Sequence, residues 1–182
     1  IADSTTGGFC GHFDGSGYAV WNLNGHTYNV CGLFGRLGDG AVIENLTIAG
    51  GNLGGAYNNS IGGIAGEVVS GATVTVRNCH NYAALTGLWG IGGIIGEVED
   101  GATVFFENCS NHGMINARYT GAGIVGQVGP NRWKENGAKA VVQNCYNAGT
   151  VGGDGNWGLG GIVGSFRLGG EGQVIRNCYN IG

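Results

Sequence analysis

Two short motifs recur along the chain at a nearly fixed interval, and that interval limits the fold more than any other feature. The first is Gly, two apolar residues and Gly: Gly32-Leu33-Phe34-Gly35, Gly63-Ile64-Ala65-Gly66, Gly93-Ile94-Ile95-Gly96, Gly123-Ile124-Val125-Gly126 and Gly161-Ile162-Val163-Gly164. Their starts are spaced by 31, 30, 30 and 38 residues. The second is an apolar residue, a polar residue and Asn, with the Asn at 22, 45, 78, 108, 144 and 177; four of these six copies continue as Asn-Cys-x-Asn. Helical repeats of similar length are disfavoured by composition, because 42 of the 182 residues are Gly, each costing a helix roughly 1 kcal/mol against Ala. Between the glycines lie short β-prone runs such as Ala72-Thr73-Val74-Thr75-Val76, Thr103-Val104-Phe105-Phe106 and Ala140-Val141-Val142. A coil of about three short strands joined by Gly and Asn corners uses roughly 30 residues, and stacked coils satisfy one another's backbone groups. The chain is expected to be all-β, a parallel β-solenoid (β-helix) of about six coils with a period near 30 residues.

The repeat marks out one domain over residues 1–182. An atypical first unit, 1–31, is followed by units at about 32–62, 63–92 and 93–122, by 123–160 with an inserted loop at 129–137, and by an incomplete unit at 161–182. Aligning Val20-Trp21-Asn22-Leu23 with Ile43-Glu44-Asn45-Leu46 makes the first coil short. The loop holds the only Pro, Pro130, and Trp133 among polar residues, so it is expected to project from the stack. Charged residues make up 11%, and the formal net charge of -4 supplies no basic patch for nucleic acid. No apolar run approaches the ~20 residues of a membrane-spanning helix. Ile1 does not open a signal peptide, and the chain reads as a mature or excised piece of a secreted product.

Equivalent positions of stacked coils lie about 4.8 Å apart, so the chain is best read down its columns. Two residues before the motif Asn stand Val20, Ile43, Val76, Phe106, Val142 and Ile175, a core column. After the Asn stand Leu23, Leu46, Cys79, Cys109, Cys145 and Cys178. Leu at the first two positions favours buried structural thiols at the others. Stacking also brings such residues within disulfide range, and Cys10 and Cys31 flank the short first unit as a candidate pair. Metal binding has the weakest support, since no close Cys pair exists, and neither a metal nor a cofactor is expected. The motif residues Asn22, Asn45, Asn78, Asn108, Asn144 and Asn177 are expected to form a structural ladder, with a second at Asn81, Asn111, Asn147 and Asn180.

Charges alternate in sign down one column, Glu44, Arg77, Glu107, Gln143 and Arg176, which favours register between coils. A second column, Arg36, Glu67, Glu97, Gln127 and Ser165, sets two carboxylates side by side at Glu67 and Glu97. A glycosidase pair needs a defined separation across a cleft and a calcium site needs more oxygen ligands, so a solvated face is the plainer reading. His80 and His112 do not share a column. No nucleophile elbow, phosphate loop or metal-ligand cluster assigns a reaction, and the chain is read as non-enzymatic. The feature that points to binding is the column Tyr28, Asn59, Trp89, Tyr119 and Trp157. Strict strand alternation turns these rings inward with Ile61 and Ile91, whereas a break at the intervening glycines leaves them as a platform for sugars or a protein partner, to which Trp133 could add.

Phe13-Asp14-Gly15-Ser16-Gly17-Tyr18, the Gly-Leu-Phe-Gly of 32–35, and the repeated Gly-Ile-Val-Gly followed by Asn-Cys-Tyr-Asn resemble the GLUG-motif repeats of bacterial surface proteins. The resemblance spans nearly the whole chain. It implies an extracellular or cell-surface, adhesin-like structural module. GLUG repeats also occur beside the protease domain of immunoglobulin A metalloproteases, but no His-Glu-x-x-His is present here to carry that activity over. Expected partners are other copies of the chain stacked head to tail into a filament, further repeats of a longer chain, or a glycan or host surface. A polysaccharide-cleaving β-helix is the remaining alternative, on fold analogy alone.

Overall fold

A computed structural model describes residues 7–25, 29–129, 137–154, 157–166 and 171–182. These residues form a β-solenoid of about five turns with a period of about 31 residues, all its strand pairs parallel. Among the described residues there is no helix, and so none long and apolar enough to cross a membrane. One turn illustrates the coil: Ile91–Gly92, Ile95–Val98, Thr103–Glu107, Ser110–Asn111 and Ile115–Ala117. This coil has five short strands, whereas the coil of Phe34–Leu37, Val42–Gly54 and Ile61–Gly62 has the three expected, and the strands fall into three sheets. Extra corners arise because Gly and Asn recur every few residues, so few segments can run straight for long.

Register follows the repeat. Val104 pairs with Val74 on one side and Ala140 on the other, and Phe106 with Val76 and Val142. Alternate residues of each strand turn inward, giving fully buried columns such as Ile61, Ile91 and Ile64, Ile94, Ile124. Ile175 continues the column of Val142 but is 48% exposed, since among the described residues no later coil covers it.

The first unit stacks in a different register from the one its sequence indicates. His12–Asp14 pairs with Val42 to Glu44, so Phe13, and not Val20, lies opposite Ile43. Ala19–Gly25 lies one strand further round, with Val20 opposite Ile48 and Leu23 opposite Gly51. Phe13 wins the core position because its ring packs edge-on against Phe34, with centroids 5.3 Å apart, while Phe9 meets the same ring at 5.0 Å. Apolar-polar-Asn matching cannot register this aromatic cluster.

The motif Asn residues 45, 78, 108, 144 and 177 all adopt left-handed φ of 51 to 53°, a conformation Asn tolerates at corners. Their amides run in one direction: Asn78 donates to Asn45 Oδ1 at 3.0 Å, Asn108 to Asn78 at 3.2 Å and Asn177 to Asn144 at 3.3 Å. Asn45 donates to Asp14 Oδ1 at 3.0 Å, so Asp14 ends the ladder. Asn22 is also left-handed, but it stands outside this column as a consequence of the shifted register.

The second Asn column is buried at Asn81, Asn111 and Asn147 and runs the opposite way. Asn81 donates to Asn111 Oδ1 and Asn111 to Asn147 Oδ1, both at 2.8 Å, and Asn147 to Asn180 at 2.6 Å. Each Nδ2 also reaches the carbonyl two residues on, of Ala83, Gly113 or Gly149. Across the solenoid interior, these amides lie against the first Gly of the four Gly-apolar-apolar-Gly motifs from Gly63 onward. A Cβ on Gly93 would stand 2.6 Å from Asn111 Cβ, and Gly63, Gly123 and Gly161 face Asn81, Asn147 and Asn180 in the same way. The two sequence motifs therefore belong to one packing unit, in which glycine leaves the space that the amide fills.

Cys79, Cys109 and Cys145 are buried in their column and Cys178 half-buried; none of the six cysteines stands in a disulfide. Cys10 and Cys31 do not pair: Cys10 Sγ donates to the carbonyls of Gly7 and Gly8, and Cys31 Sγ to that of Gly25. Burial pushes the thiol of Cys109 far up, and the neighbouring Cys109 together with burial does the same for Cys145, so neither forms a thiolate near neutral pH.

Candidate functional site

The aromatic column turns outward at a corner. Trp89 precedes Gly90, whose φ is +62°, and the equivalent Ser60 after Asn59 has φ of 47°; in these two coils a left-handed step interrupts strand alternation. Trp89 and Tyr119 are half-buried and Trp157 is 55% exposed, while Ile91 two residues on is fully buried. Trp89 and Tyr119 stack with centroids 4.3 Å apart and planes 24° from parallel. Trp157 meets Trp89 at 5.4 Å and 69°. Tyr28 and Trp133 lie outside the described residues, and Asn59 interrupts the column.

A polar network fixes the corner beneath the rings. The Gly90 amide donates to Thr120 Oγ1 at 2.8 Å, Thr120 donates to Gln127 Oε1 at 3.1 Å, and Ser60 Oγ donates to Glu97 Oε2 at 2.8 Å. These side chains are buried and bonded, so the backbone that carries the rings is held on both sides. Beside the rings opens a cleft of about 480 Å³, lined by Tyr119, Trp157, Thr86, Asn116, Arg118 and Asp154 among others. Thr86 and Asn116 are register partners on adjacent coils, and the Arg118 guanidinium lies 5.4 Å from the Tyr119 ring centroid. The cleft thus joins flat apolar faces to hydroxyl, amide, guanidinium and carboxylate groups, the mixture a polyhydroxylated ligand needs.

Comparisons with protein-family models, with curated proteins and with solved structures find no match to this chain.

The paired carboxylates sit elsewhere. Glu67 and Glu97 are register partners, with Glu67 Oε1 accepting from Arg36 Nε at 3.1 Å and Glu97 held by Ser60. Neither lines the cleft beside the rings. Among the described residues, no three His, Cys, Asp or Glu side chains converge as a metal site. In the alternating column, Arg77 Nε bonds Glu44 Oε2 and His12 Nε2 lies 2.6 Å from Glu44 Oε1. The Arg77 and His12 bonds hold the Glu44 carboxyl below the usual carboxylate range.

Glu99 behaves in the opposite sense. Burial, reinforced by the charges of Glu97, Glu67 and Asp100, pushes its carboxyl up from 4.5 to about 7. Between those values the folded chain holds a proton that the unfolded chain has released, so stability falls as pH rises through that window. Because Glu99 is partly exposed, the loss between pH 4.5 and 8 is expected to be no more than about 1–2 kcal/mol after solvent screening. Glu99→Gln should remove this fall and melt higher than wild type at pH 8. Parallel pH dependence of the two proteins in thermal unfolding would refute the assignment.

A second polar and aromatic group escaped the sequence reading. His80 Nδ1 lies 2.8 Å from Ser110 Oγ, Ser110 Oγ lies 3.1 Å from His112 Nε2, and His112 Nε2 lies 3.1 Å from Tyr146 Oη. Burial, and for His80 also the nearby His112, lowers both imidazoles below their ordinary value, so both are neutral at pH 7. The two histidines do stand in different columns, and Ser110, the register partner of His80, joins them. Tyr82 stacks on His112 at 4.4 Å and 7°, and Tyr146 on Tyr179 at 5.0 Å and 3°. The available signal was the alternation His80-x-Tyr82 and Ser110-x-His112, which places both members of each pair on one outward face.

Proposed function

We propose that this chain is a non-enzymatic β-solenoid module that binds glycans at the Trp89, Tyr119 and Trp157 platform and serves as an adhesive segment of a bacterial surface protein. The mixed cleft is the observation that carries the proposal: two aromatic faces border Thr86, Asn116, Arg118 and Asp154 within one open groove. Sugar rings present apolar C–H faces to aromatic planes while their hydroxyls seek such polar groups. The neighbouring corner is already braced by Thr120, Gln127, Ser60 and Glu97, so little ordering entropy is lost on binding. The resemblance of the repeats to GLUG motifs supports the surface setting.

Retention on an immobilised panel of neutral and acidic polysaccharides tests the proposal. Wild type should be retained on at least one, and Trp157→Ala or Tyr119→Ala should weaken that retention at least tenfold, about 1.4 kcal/mol. Both variants should unfold cooperatively, because Trp157 is exposed and Tyr119 lies at a corner. Unchanged retention in both variants would reject the platform. Release of new reducing ends from a retained polysaccharide, lost in Glu97→Gln, would replace the binding reading with a cleaving one.

A further inference from the structure

The outward face that carries the His80 and Tyr82 side chains contains a column with one ring missing. Trp21 pairs with Ala49 in the parallel ladder. The Tyr82 amide donates to the Ile48 carbonyl, which sets Tyr82 opposite Ala49 on the next coil, and the His112 amide donates to the Asn81 carbonyl, which sets His112 opposite Tyr82. The column therefore reads Trp21, Ala49, Tyr82, His112. Tyr82 and His112 stack at 4.4 Å, but Trp21 and Tyr82 stand two coils apart, about 9.6 Å at the usual strand spacing. Between them lies a slot of about 380 Å³, floored by Ala49 and Gly50 and bordered by Ala19 and Thr47.

We infer that this slot binds a small planar aromatic molecule, which takes the place of the absent ring. The Tyr82–His112 pair of this column and two pairs elsewhere in the solenoid fix the geometry: rings on adjacent coils stack with centroids at 4.4, 4.3 and 5.0 Å. A ring seated over Ala49 lies at that distance from Trp21 on one side and Tyr82 on the other. Trp21 is 73% exposed and Tyr82 49%, so both faces are open to an entering ligand. The Tyr82 ring is held flat from behind by His112, whose Nε2 bonds Ser110 and Tyr146, so this wall is already ordered before binding. Besides the Tyr82 phenol, Thr47 carries the one aliphatic hydroxyl in the lining, enough to orient a phenolic group but too little to satisfy the hydroxyls of a sugar. That contrast separates the slot from the mixed cleft beside Trp157, and the inference does not depend on glycan binding there.

Titration calorimetry with 4-methylphenol, alongside 4-methylcyclohexanol and methyl β-glucoside as non-planar controls, tests the inference on the full chain. Saturable binding of 4-methylphenol is expected with Kd near millimolar, a scale set by so few atoms. Trp21→Ala, an exposed position, should weaken it at least tenfold. Ala49→Phe should abolish it while leaving cooperative unfolding intact, because the new ring completes the stack. Trp157→Ala should bind like wild type. Absence of saturable binding by wild type, equal binding by Trp21→Ala, or stronger binding of either control than of 4-methylphenol would overturn the assignment. If Ala49→Phe fails to fold, Trp21→Ala still decides the question.

Discussion

Asn111→Ala is expected to lower the unfolding free energy by about 3–5 kcal/mol, the range for breaking a buried hydrogen-bond network. Asn111 is fully buried. Its Nδ2 donates to Asn147 Oδ1 and to the Gly113 carbonyl, each at 2.8 Å, and its Oδ1 accepts from Asn81 at 2.8 Å. Alanine deletes all three bonds inside the coil, where no solvent can replace them, and leaves a void against Gly93. At roughly 2–4 °C per kcal/mol for a chain of this size, the melting temperature should fall by about 6–20 °C. Asn108→Gly supplies the comparison, because Asn108 is exposed in the outer ladder and glycine accepts its φ of 53°. That variant should lose no more than about 1 kcal/mol. Urea unfolding gives both values, and an Asn111→Ala protein within 1 kcal/mol of wild type would show that the inner ladder is dispensable.

Gly93→Ala should be more damaging still, leaving no cooperative thermal transition near the wild-type temperature. The added Cβ would overlap the Gly123 carbonyl oxygen of the next coil and stand 2.6 Å from Asn111 Cβ. Backbone and a bonded amide cannot yield without breaking two coils, so the cost is expected to exceed about 4 kcal/mol, beyond the ordinary range for point substitutions. Gly71→Ala separates crowding from conformation: its φ is +74° but nothing lies within 4 Å of a Cβ there. Only the left-handed penalty of about 1–2 kcal/mol applies. Circular dichroism melts of the two proteins should differ widely, and similar melts would mean that glycine at 93 serves φ or local entropy alone.

Several parts of this arrangement were legible in the order of residues. Spacing of the Gly-apolar-apolar-Gly motifs gave the period, and the Val, Ile and Phe columns gave the inward face, because strand alternation and coil stacking are local rules. The ladders of Asn78 and Asn81 and the pairing of Glu44 with Arg77 were readable for the same reason. The first unit was not: Asn22 fits the repeat and adopts its left-handed corner, yet Asp14 takes the ladder position because Phe13 and Phe9 pack on Phe34. The direction of Trp89 also stayed open, since it depends on whether Gly90 takes a positive φ. A glycine leaves that choice to its surroundings.

By itself, then, the sequence determined a parallel coil of about 30 residues, its inward columns and its Asn corners, all of which depend on residues near one another in the chain or one period apart. Only the tertiary structure decided that Gly93 and Asn111 meet across the interior, that Ser110 joins His80 to His112, and that Ala49 leaves an open slot between Trp21 and Tyr82. Each of those depends on which coil edges face each other and where a left-handed corner falls, and both are settled by packing between segments that periodicity treats as independent.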